Sequence, residues 1–229
     1  MNRYTCLSLL LASHVGLFAC SGTDGAPVVE DMRPALDAAP LAHYTVAMQA
    51  SGELRVTRLG SADTSCVDGV ARPSCPLAAI DLDGADLARA DVAPTLRWLE
   101  AGQAIARGKL VHAREGARLV VSSVWTRRVA VPSVVDAPAP AGGMYFLRDD
   151  SGACASEVRA CAWLRAEPVG SPDDAAHVRG LELSALGTEL DAVEREALSK
   201  GSLLAAGAPV GAAFVAVSLW VPVGATRLE

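Results

Sequence analysis

The sequence predicts a mainly β fold with some helix (α+β), built as two tandem homologous repeats. Three features lead to this prediction. Short segments alternate between apolar and polar residues, one helical segment stands among them in each half of the chain, and five segments recur in the same order about 100 residues apart. We expect each repeat to contain about five antiparallel strands, with its helix between strands 3 and 4.

The recurrence spans almost the whole chain after residue 40. HYTVAMQASG at 43–52 matches MYFLRDDSGA at 144–153, and VVSSVW at 120–125 matches VAVSLW at 215–220. Between these segments a pair of cysteines, a strand-like segment and two equally spaced glycines recur in the same order. So many ordered matches indicate a tandem duplication.

Composition and motifs divide the chain into five segments. These are 1–19, a lipoprotein signal peptide; 20–40, a flexible tether rich in Pro, Ala, Gly and Asp; 41–131, β-rich repeat 1; 132–142, a Pro/Ala linker; and 143–229, β-rich repeat 2.

In repeat 1, the pattern predicts three strands, a helix and two further strands. The strands are HYTVAM (43–48), ELRVTRL (53–59), PLAAIDL (76–82), AIARGKLVHA (104–113) and RLVVSSVWTRRV (118–129), and the helix is DVAPTLRWLEAG (91–102).

The helix of repeat 2, TELDAVEREALSKG at 188–201, has clearer boundaries. Thr188, three residues before Asp191, predicts a capped N-terminus, and Gly201 predicts the C-terminal end. The apolar face is predicted to consist of Leu190, Val193, Ala197 and Leu198. The strands that follow are SLLAAGAPV (202–210) and FVAVSLWVPV (214–223).

The order of elements in each repeat is also that of a small OB-like barrel. Two antiparallel sheets covered by one helix would produce the same order, so the barrel is an analogy at the level of fold. Trp125 and Trp220 hold equivalent positions on the last strands, which favours a place in the core over ligand stacking.

The N-terminus has the layout of a secretory signal. Arg3 precedes an apolar region, Leu7–Phe18, that is shorter than the roughly 20 apolar residues of a membrane span. A flexible polar segment follows at once, which favours export over a buried helix of the mature fold.

The segment LFAC, which ends at Cys20, resembles a bacterial lipobox, with Phe18 where a small residue is usual. The resemblance implies that Cys20 becomes the mature N-terminus and carries a lipid, and two acyl chains provide stable anchoring. By the same resemblance, Ser21 in place of aspartate implies the outer membrane, at its periplasmic face or at the cell surface.

Four cysteines remain after Cys6 leaves with the signal and Cys20 carries lipid. They are Cys66, Cys75, Cys154 and Cys161. An even number in an exported chain predicts two disulfides. Three connectivities are possible, of which pairing within each repeat, Cys66–Cys75 and Cys154–Cys161, needs the least loop closure. The spacings C-x8-C and C-x6-C, with no histidine close in sequence, argue against zinc.

The stretch SCVDGVARPSCPLAAIDL at 65–82 resembles an uncharacterised family of secreted or lipid-anchored, duplicated bacterial proteins, abundant in myxobacteria and their relatives. The matching residues are Cys66, Asp68, Gly69, Cys75 and Ile80–Leu82. The resemblance continues through VVSSVW and YFLRDDSGAC and covers about 43–223. Family members usually carry a further cysteine pair after the first tyrosine strand, which AMQASGELRV lacks. The resemblance implies a fold and a location, and no activity or catalytic residue.

Composition and motifs argue against several functions. The net charge of −6 and an aromatic content of 4% exclude a nucleic-acid partner. A G-x-S-x-G motif is missing, and His43, His112 and His177 are each predicted to be solvated surface residues. We therefore expect no catalytic residue, no metal and no cofactor.

The acidic stretch DLDGADLARAD at 81–91 raises the question of calcium. Its glycine, Gly84, comes too early for an EF-hand, and Val92 stands where that motif has glutamate. The stretch is predicted to be a turn followed by a helix start. Arg127 and Arg128, at the end of a strand, are predicted to face solvent.

Together these features predict a cell-envelope lipoprotein with a non-catalytic binding or structural role. Its partners would be the membrane, through the lipid at Cys20, and a protein of the envelope. The alternative is a protease-inhibitor-like or small-ligand-binding module whose disulfide-closed loop presents Val70, Ala71 and Arg72. A hydrolase would need clustered carboxylates or histidines in a cleft.

Overall fold

The computed structural model describes residues 41–128, 143–150, 164–186 and 189–224, without the side chain of Ala185. These residues form a mainly β structure with two α-helices, as the alternating segments predict. They belong to one compact unit. We call the residues up to 128 the first half and those from 143 the second half.

The strands, in chain order, are β1 (Ala42–Met48), β2 (Leu54–Arg58), β3 (Thr64–Ser65), β4 (Ala71–Arg72), β5 (Cys75–Leu77), β6 (Ala79–Asp81), β7 (Ala104–Ala113), β8 (Gly116–Arg127), β9 (Gly143–Asp149), β10 (Leu164–Pro168), β11 (Ala176–Val178), β12 (Gly180–Glu182), β13 (Leu203–Val210) and β14 (Ala213–Pro222). The helices are α1 (Arg89–Glu100) and α2 (Ala192–Ser199), with short 3-10 turns at Pro172–Asp174 and Ser184–Leu186.

Twelve strands form one sheet, and β3 and β4 form a separate two-stranded sheet. The main path of the large sheet is β11-β10-β9-β13-β14-β8-β7-β1-β2-β5, and it is not closed. Most neighbours are antiparallel, whereas β6 lies parallel to β8 and β12 lies parallel to β14. The expectation of only antiparallel strands is therefore wrong for these two pairs.

The third predicted strand of the first half, 76–82, is interrupted at Ala78. Its first part, β5, pairs with β2, and its second part, β6, pairs with β8. At the break, the Ala78 backbone N–H donates to the Ala117 carbonyl oxygen (2.8 Å). The segment changes partner because it bridges two strands that are not neighbours.

The helix of the second half has a different N-terminus from the predicted one. Asp191 is the N-cap: its side chain accepts a hydrogen bond from Glu194 N (2.8 Å), while the Glu194 carboxylate accepts one from Asp191 N (2.8 Å). This reciprocal capping box satisfies two backbone donors at once, so the helix begins after Asp191 and not near Thr188. The predicted end is confirmed, since Gly201 follows the C-cap Lys200 with a left-handed φ of 68°.

Each half packs its helix and strands around its own apolar cluster. The first cluster includes Val46, Val56, Leu99, Leu119 and Val121. The second includes Leu147, Ala197, Leu203, Phe214 and Leu219.

A third apolar cluster joins the two halves. Trp125 and Ile105 of the first half pack in it with Trp220, Leu204 and Val169 of the second. The predicted burial of both tryptophans is confirmed, and the structure places them in this shared cluster.

The strands β8 and β14 continue the sheet from one half to the other. Thr126 lies opposite Val221 at the centre of three paired positions. The Arg128 backbone N–H donates to the Leu219 carbonyl (2.9 Å), and the Trp125 indole N–H donates to the Ser202 carbonyl (2.9 Å). Backbone and side-chain hydrogen bonds thus reinforce the shared cluster.

Candidate functional site

Residues 64–75, which we call the disulfide hairpin, form a loop that is held by a disulfide and by hydrogen bonds. Cys66 and Cys75 form a disulfide with their Cα atoms 5.6 Å apart, as predicted from their spacing. Both cysteines are buried against the first apolar cluster. Within the loop, β3 and β4 pair antiparallel, which the sequence pattern did not reveal because each strand has only two residues.

Polar side chains fasten the base of the disulfide hairpin to strand β2. The buried Thr64 Oγ1 accepts a hydrogen bond from the Arg58 backbone N–H (2.8 Å). Arg55 donates from Nε to Ser74 Oγ and from Nη2 to the Ser74 carbonyl, both at 2.9 Å. These contacts fix the direction in which the hairpin leaves the sheet.

The tip of the disulfide hairpin is held by its own hydrogen bonds. Asp68 Oδ1 accepts from the Val70 backbone N–H (3.1 Å), and Asp68 Oδ2 lies 2.7 Å from Arg72 Nη2. The Arg72 hydrogen bond, with that from Val70, holds the pKa of Asp68 below its usual value. Val70 is 48% exposed. The arrangement presents an apolar side chain on an ordered turn, which suits recognition of a partner.

The other predicted site residues lie outside the described residues. These are Cys20, the lipidation residue, and the pair Cys154 and Cys161. The lipid anchor and the second disulfide therefore stay predictions.

A second feature lies where the two halves meet. A pocket of about 200 Å³, which we call the junction cleft, has mainly apolar walls. The apolar wall residues are Leu41, Leu59, Phe146, Pro168, Val169 and Pro172. The polar residues that line it are His43, Arg58 and Glu167.

His43 packs between aromatic rings at the junction cleft. Its ring centroid lies 5.5 Å from that of Trp125 and 5.0 Å from that of Phe146, both edge-on. Burial, and secondarily the positive charge of Arg107, lower the pKa of His43 to about 4. The prediction that His43 is a solvated surface residue is wrong, because the packing of the second half covers it.

Two residues of opposite charge line the junction cleft, Arg58 and Glu167. Glu167 forms an ion pair with Arg165 Nε (2.8 Å). Arg58, at the end of β2, has no carboxylate partner among the residues that the structure describes. Burial raises the pKa of Tyr44, and the positive charge of Arg58 partly opposes that rise. Tyr44 lies opposite Arg58 in the β1–β2 pair, so these two side chains share one face of the sheet and the neighbouring His43 points to the other face.

Comparison with protein-family models, with curated proteins and with solved structures finds no match to this chain. The resemblance to an uncharacterised bacterial family stays a prediction.

The acidic residues considered for calcium do not meet in one place. Asp81 Oδ1 accepts a hydrogen bond from the Asp83 backbone N–H (3.0 Å), which stabilises the turn predicted after the strand. Asp81 also forms an ion pair with Arg118 (4.0 Å). Across the described ranges, no three His, Cys, Asp or Glu side chains are grouped as metal ligands would be. Within the same ranges, no helix has the length and hydropathy that crossing a bilayer requires.

Of the other residues predicted to face solvent, some are exposed and one is not. His112 and His177 are exposed, as predicted, and His177 Nδ1 lies 3.4 Å from Asp150. Arg127 places its guanidinium 6.0 Å from the centroid of Trp220. The prediction that Arg128 faces solvent is wrong, because Arg128 pairs with the buried carboxylate of Glu194.

Proposed function

We propose that this chain is a cell-envelope lipoprotein with a non-catalytic binding role, and that the disulfide hairpin contacts its partner protein. The observation that carries the proposal is the ordered, exposed turn at Val70, fastened by the Cys66–Cys75 disulfide and by Thr64. A turn that is already rigid loses little conformational entropy on binding, so an exposed apolar side chain on it is an effective contact.

The proposal includes the lipid anchor at Cys20 and a location at the outer membrane. Its support is the lipobox-like LFAC at the end of a short apolar region and the polar tether that follows. The tether would hold the β structure away from the membrane surface.

The proposal also includes the tandem duplication, with each half a partly open OB-like barrel. The support is that strand pairs in the two halves correspond residue for residue. Tyr44 lies opposite Ala106, and its predicted equivalent Tyr145 lies opposite Ala205. The parallel pairs β6–β8 and β12–β14 also correspond, and they join the third and fifth strands as an OB-like order requires.

Equivalent β-bulges add to this support. The β7–β8 register shifts at Gly108 and the β13–β14 register shifts at Gly207. A Cβ atom on Gly108 would lie 2.2 Å from the Val120 carbonyl oxygen, and one on Gly207 would lie 2.1 Å from that of Val215. The same backbone approach thus excludes a side chain at both bulges.

The anchor is tested by metabolic labelling of the full chain with a fatty-acid analogue in a bacterial host. We expect label on the wild-type chain and on Cys6→Ser, and none on Cys20→Ser. Label retained by Cys20→Ser contradicts the anchor.

The binding role is tested by photo-crosslinking in intact cells. A photoreactive amino acid replaces Val70 in one variant and Val210, 60% exposed at another hairpin, in the control. We expect a discrete crosslinked protein from position 70 that is absent from position 210 and from a Val70 variant that also lacks both hairpin cysteines. The same products from both positions, or none from position 70, contradict the proposal.

A further inference from the structure

The junction cleft lies where the two halves of the chain meet, and ligand pockets occur preferentially at such interfaces. Leu59 lines it from the first half, and Phe146 and Val169 line it from the second. Val169 belongs to the shared apolar cluster, and Leu59 and Phe146 pack against that cluster. The apolar walls of the cleft are therefore held in place by the same contacts that join the halves.

His43 completes the wall on the side of the first half. Its backbone carbonyl accepts a hydrogen bond from the Leu59 N–H (2.8 Å), and its ring packs edge-on against that of Phe146, with the centroids 5.0 Å apart. Because burial lowers the pKa of His43 to about 4, its imidazole is uncharged at neutral pH. Leu41 also lines the cleft and is 40% exposed, so an apolar side chain there meets water that a ligand would displace.

The two charged residues of the described lining do not offer their charges to a ligand. Arg58 lies opposite Tyr44 in the β1–β2 pair, so its side chain is on the face of the sheet away from His43. Glu167 forms an ion pair with Arg165 Nε (2.8 Å). A ligand with a charged group would have to give up the hydration of that group without gaining a partner, which is costly. The cleft therefore favours a neutral molecule.

The volume of the junction cleft, about 200 Å³, limits the size of that molecule. An apolar cavity of about 150 Å³ is large enough to hold benzene. A single ring with a short substituent therefore fits between the walls, whereas a fused ring system, a nucleotide or a peptide of several residues does not. Burial of such a ring is favourable in proportion to the apolar area that it removes from water.

We propose that the junction cleft binds a small, neutral, mainly apolar molecule of the size of one substituted ring. Its walls are His43 and Leu59 of the first half and Phe146 and Val169 of the second. Because both halves contribute walls, the bound molecule also strengthens the contact between them. This site goes beyond the partner-binding role assigned to the disulfide hairpin and does not depend on it.

The experiment is an NMR titration with anisole of the methyl-labelled chain from residue 21 onward, which contains the whole compact unit of the described residues. We expect saturable shifts of the Leu59 and Val169 methyl signals, with a dissociation constant of about 1 mM, as the few heavy atoms of anisole allow. The methyl signals of Val210, outside the cleft lining, should not shift. Anisole should also raise the thermal unfolding midpoint, because it binds the folded state.

Three further probes test the charge and the size of the ligand. Benzoate and benzylammonium keep the ring but carry opposite charges, and each should bind at least about ten-fold more weakly than anisole, because the charged group would lose hydration without gaining a partner. 2-Methoxynaphthalene adds a second ring to the same ether, and it should also bind at least about ten-fold more weakly, because closely packed walls do not make room for the second ring.

A matched pair of variants tests the position of the site. Leu41→Asp places a carboxylate in the cleft lining and should weaken anisole binding about five-fold. Val210→Asp makes the same kind of change at an apolar residue that is 60% exposed at another hairpin, and it should leave the affinity unchanged. Both side chains are exposed, so both variants should keep the fold, which melting curves without anisole verify.

Three outcomes overturn the proposal: no saturable binding of anisole, equal affinity for any of the three further probes, or equal affinity in Leu41→Asp. A fourth is a discrete protein crosslinked in intact cells by a photoreactive amino acid at position 41, together with no anisole binding by the purified chain, which would assign the cleft to a protein partner. None of these outcomes affects the crosslinking at Val70, so failure of the cleft site and failure of the proposed partner contact are distinguishable.

Discussion

His43 is kept neutral by its surroundings. The rings of Trp125 and Phe146 pack against it, and the positive charge of Arg107 acts on it. Glu167, the carboxylate that lines the same cleft, is paired with Arg165. In the unfolded chain a histidine titrates near pH 6.5, whereas burial lowers the pKa of His43 to about 4. Between these values the unfolded state binds more protons than the folded state. The free energy of unfolding therefore falls as the pH decreases from about 6.5 to about 4.

Replacing His43 with Phe should remove this part of the pH dependence. We expect the wild-type free energy of unfolding to fall by about 2–3 kcal/mol more than that of His43→Phe between pH 7 and pH 4. Urea unfolding followed by tryptophan fluorescence at several pH values measures the difference. His112→Gln, at an exposed histidine, should keep the wild-type slope. Parallel curves for wild type and His43→Phe would refute the prediction.

Glu194 is a charged side chain with almost no contact with solvent. It is 1% exposed, caps helix α2 through Asp191 and pairs with Arg128, which is 26% exposed and reaches it from the end of β8. Arg128 also donates to the Glu189 carbonyl (3.1 Å). Such a pair costs desolvation to form, but removal of one partner leaves a buried charge without compensation.

Arg128→Met should therefore destabilise the fold more than the removal of one partner from an exposed ion pair does. We expect a loss of about 2–4 kcal/mol for Arg128→Met, against less than about 0.5 kcal/mol for Lys200→Met, which breaks the exposed Lys200–Glu196 pair. Adding Glu194→Gln to Arg128→Met should recover part of the loss, because the buried charge is then gone. Chemical denaturation measures all four proteins, and equal losses for the two single variants would count against the argument.

At the scale of elements, the long regular strands are the predictable part. Strands β1 and β8 alternate between more and less buried residues, because a strand with one buried face has a buried side chain at every second position. The division of 76–82 into β5 and β6 was not predictable, since it depends on which distant strand each part meets. The sequence also contains the signal for the helix start at Asp191, because Asp191 and Glu194 have the spacing of a capping box. That signal is as strong as the one that led to the prediction at Thr188.

The disulfide hairpin makes a prediction at this scale. A disulfide that closes a loop of about ten residues restricts the unfolded chain by roughly 2.5 kcal/mol at 25 °C. Replacing Cys66 and Cys75 together with Ala should lower the free energy of unfolding by about 2–3 kcal/mol and expose the turn at Asp68–Ala71 to proteolysis. Urea unfolding and limited proteolysis with mass spectrometry measure the two effects. A stable variant that is cut at the wild-type rate would show that Thr64 and Asp68 alone order the turn.

At the scale of the whole molecule, the junction cleft is the part that sequence patterns do not reveal. His43 and Phe146 are about 100 residues apart, and neither has a neighbour in the sequence that indicates the contact. His43 and Arg58 lie on the paired strands β1 and β2, whereas Glu167 of β10 reaches the same cleft only because the two halves pack together. The periodicity of apolar residues indicates which face of a single strand or helix is buried. It does not indicate how the two halves of the chain pack against each other.

The turns after β2 and β10 approach each other closely beside this cleft. Gly60 has a left-handed φ of 71°, and a Cβ atom there would lie 1.7 Å from the Val169 carbonyl oxygen. Gly211 has a similar φ of 58°, but a Cβ atom there would meet open space. An alanine at either position would cost about 1–2 kcal/mol of backbone strain. Only an alanine at position 60 would also have to push the two halves apart, so comparing the two substitutions isolates that second cost.

Gly60→Ala should lower the thermal unfolding midpoint clearly more than Gly211→Ala, because only the first variant forces the backbone at Val169 to move. That movement would also admit water to the junction cleft, so the pKa of His43 should rise from about 4 toward 6.5 in Gly60→Ala and stay near 4 in Gly211→Ala. Melting curves and NMR titration of the His43 ring measure the two effects in the same samples. If both variants lose the same stability and keep the same His43 titration, the contact at Gly60 does not hold the two halves together.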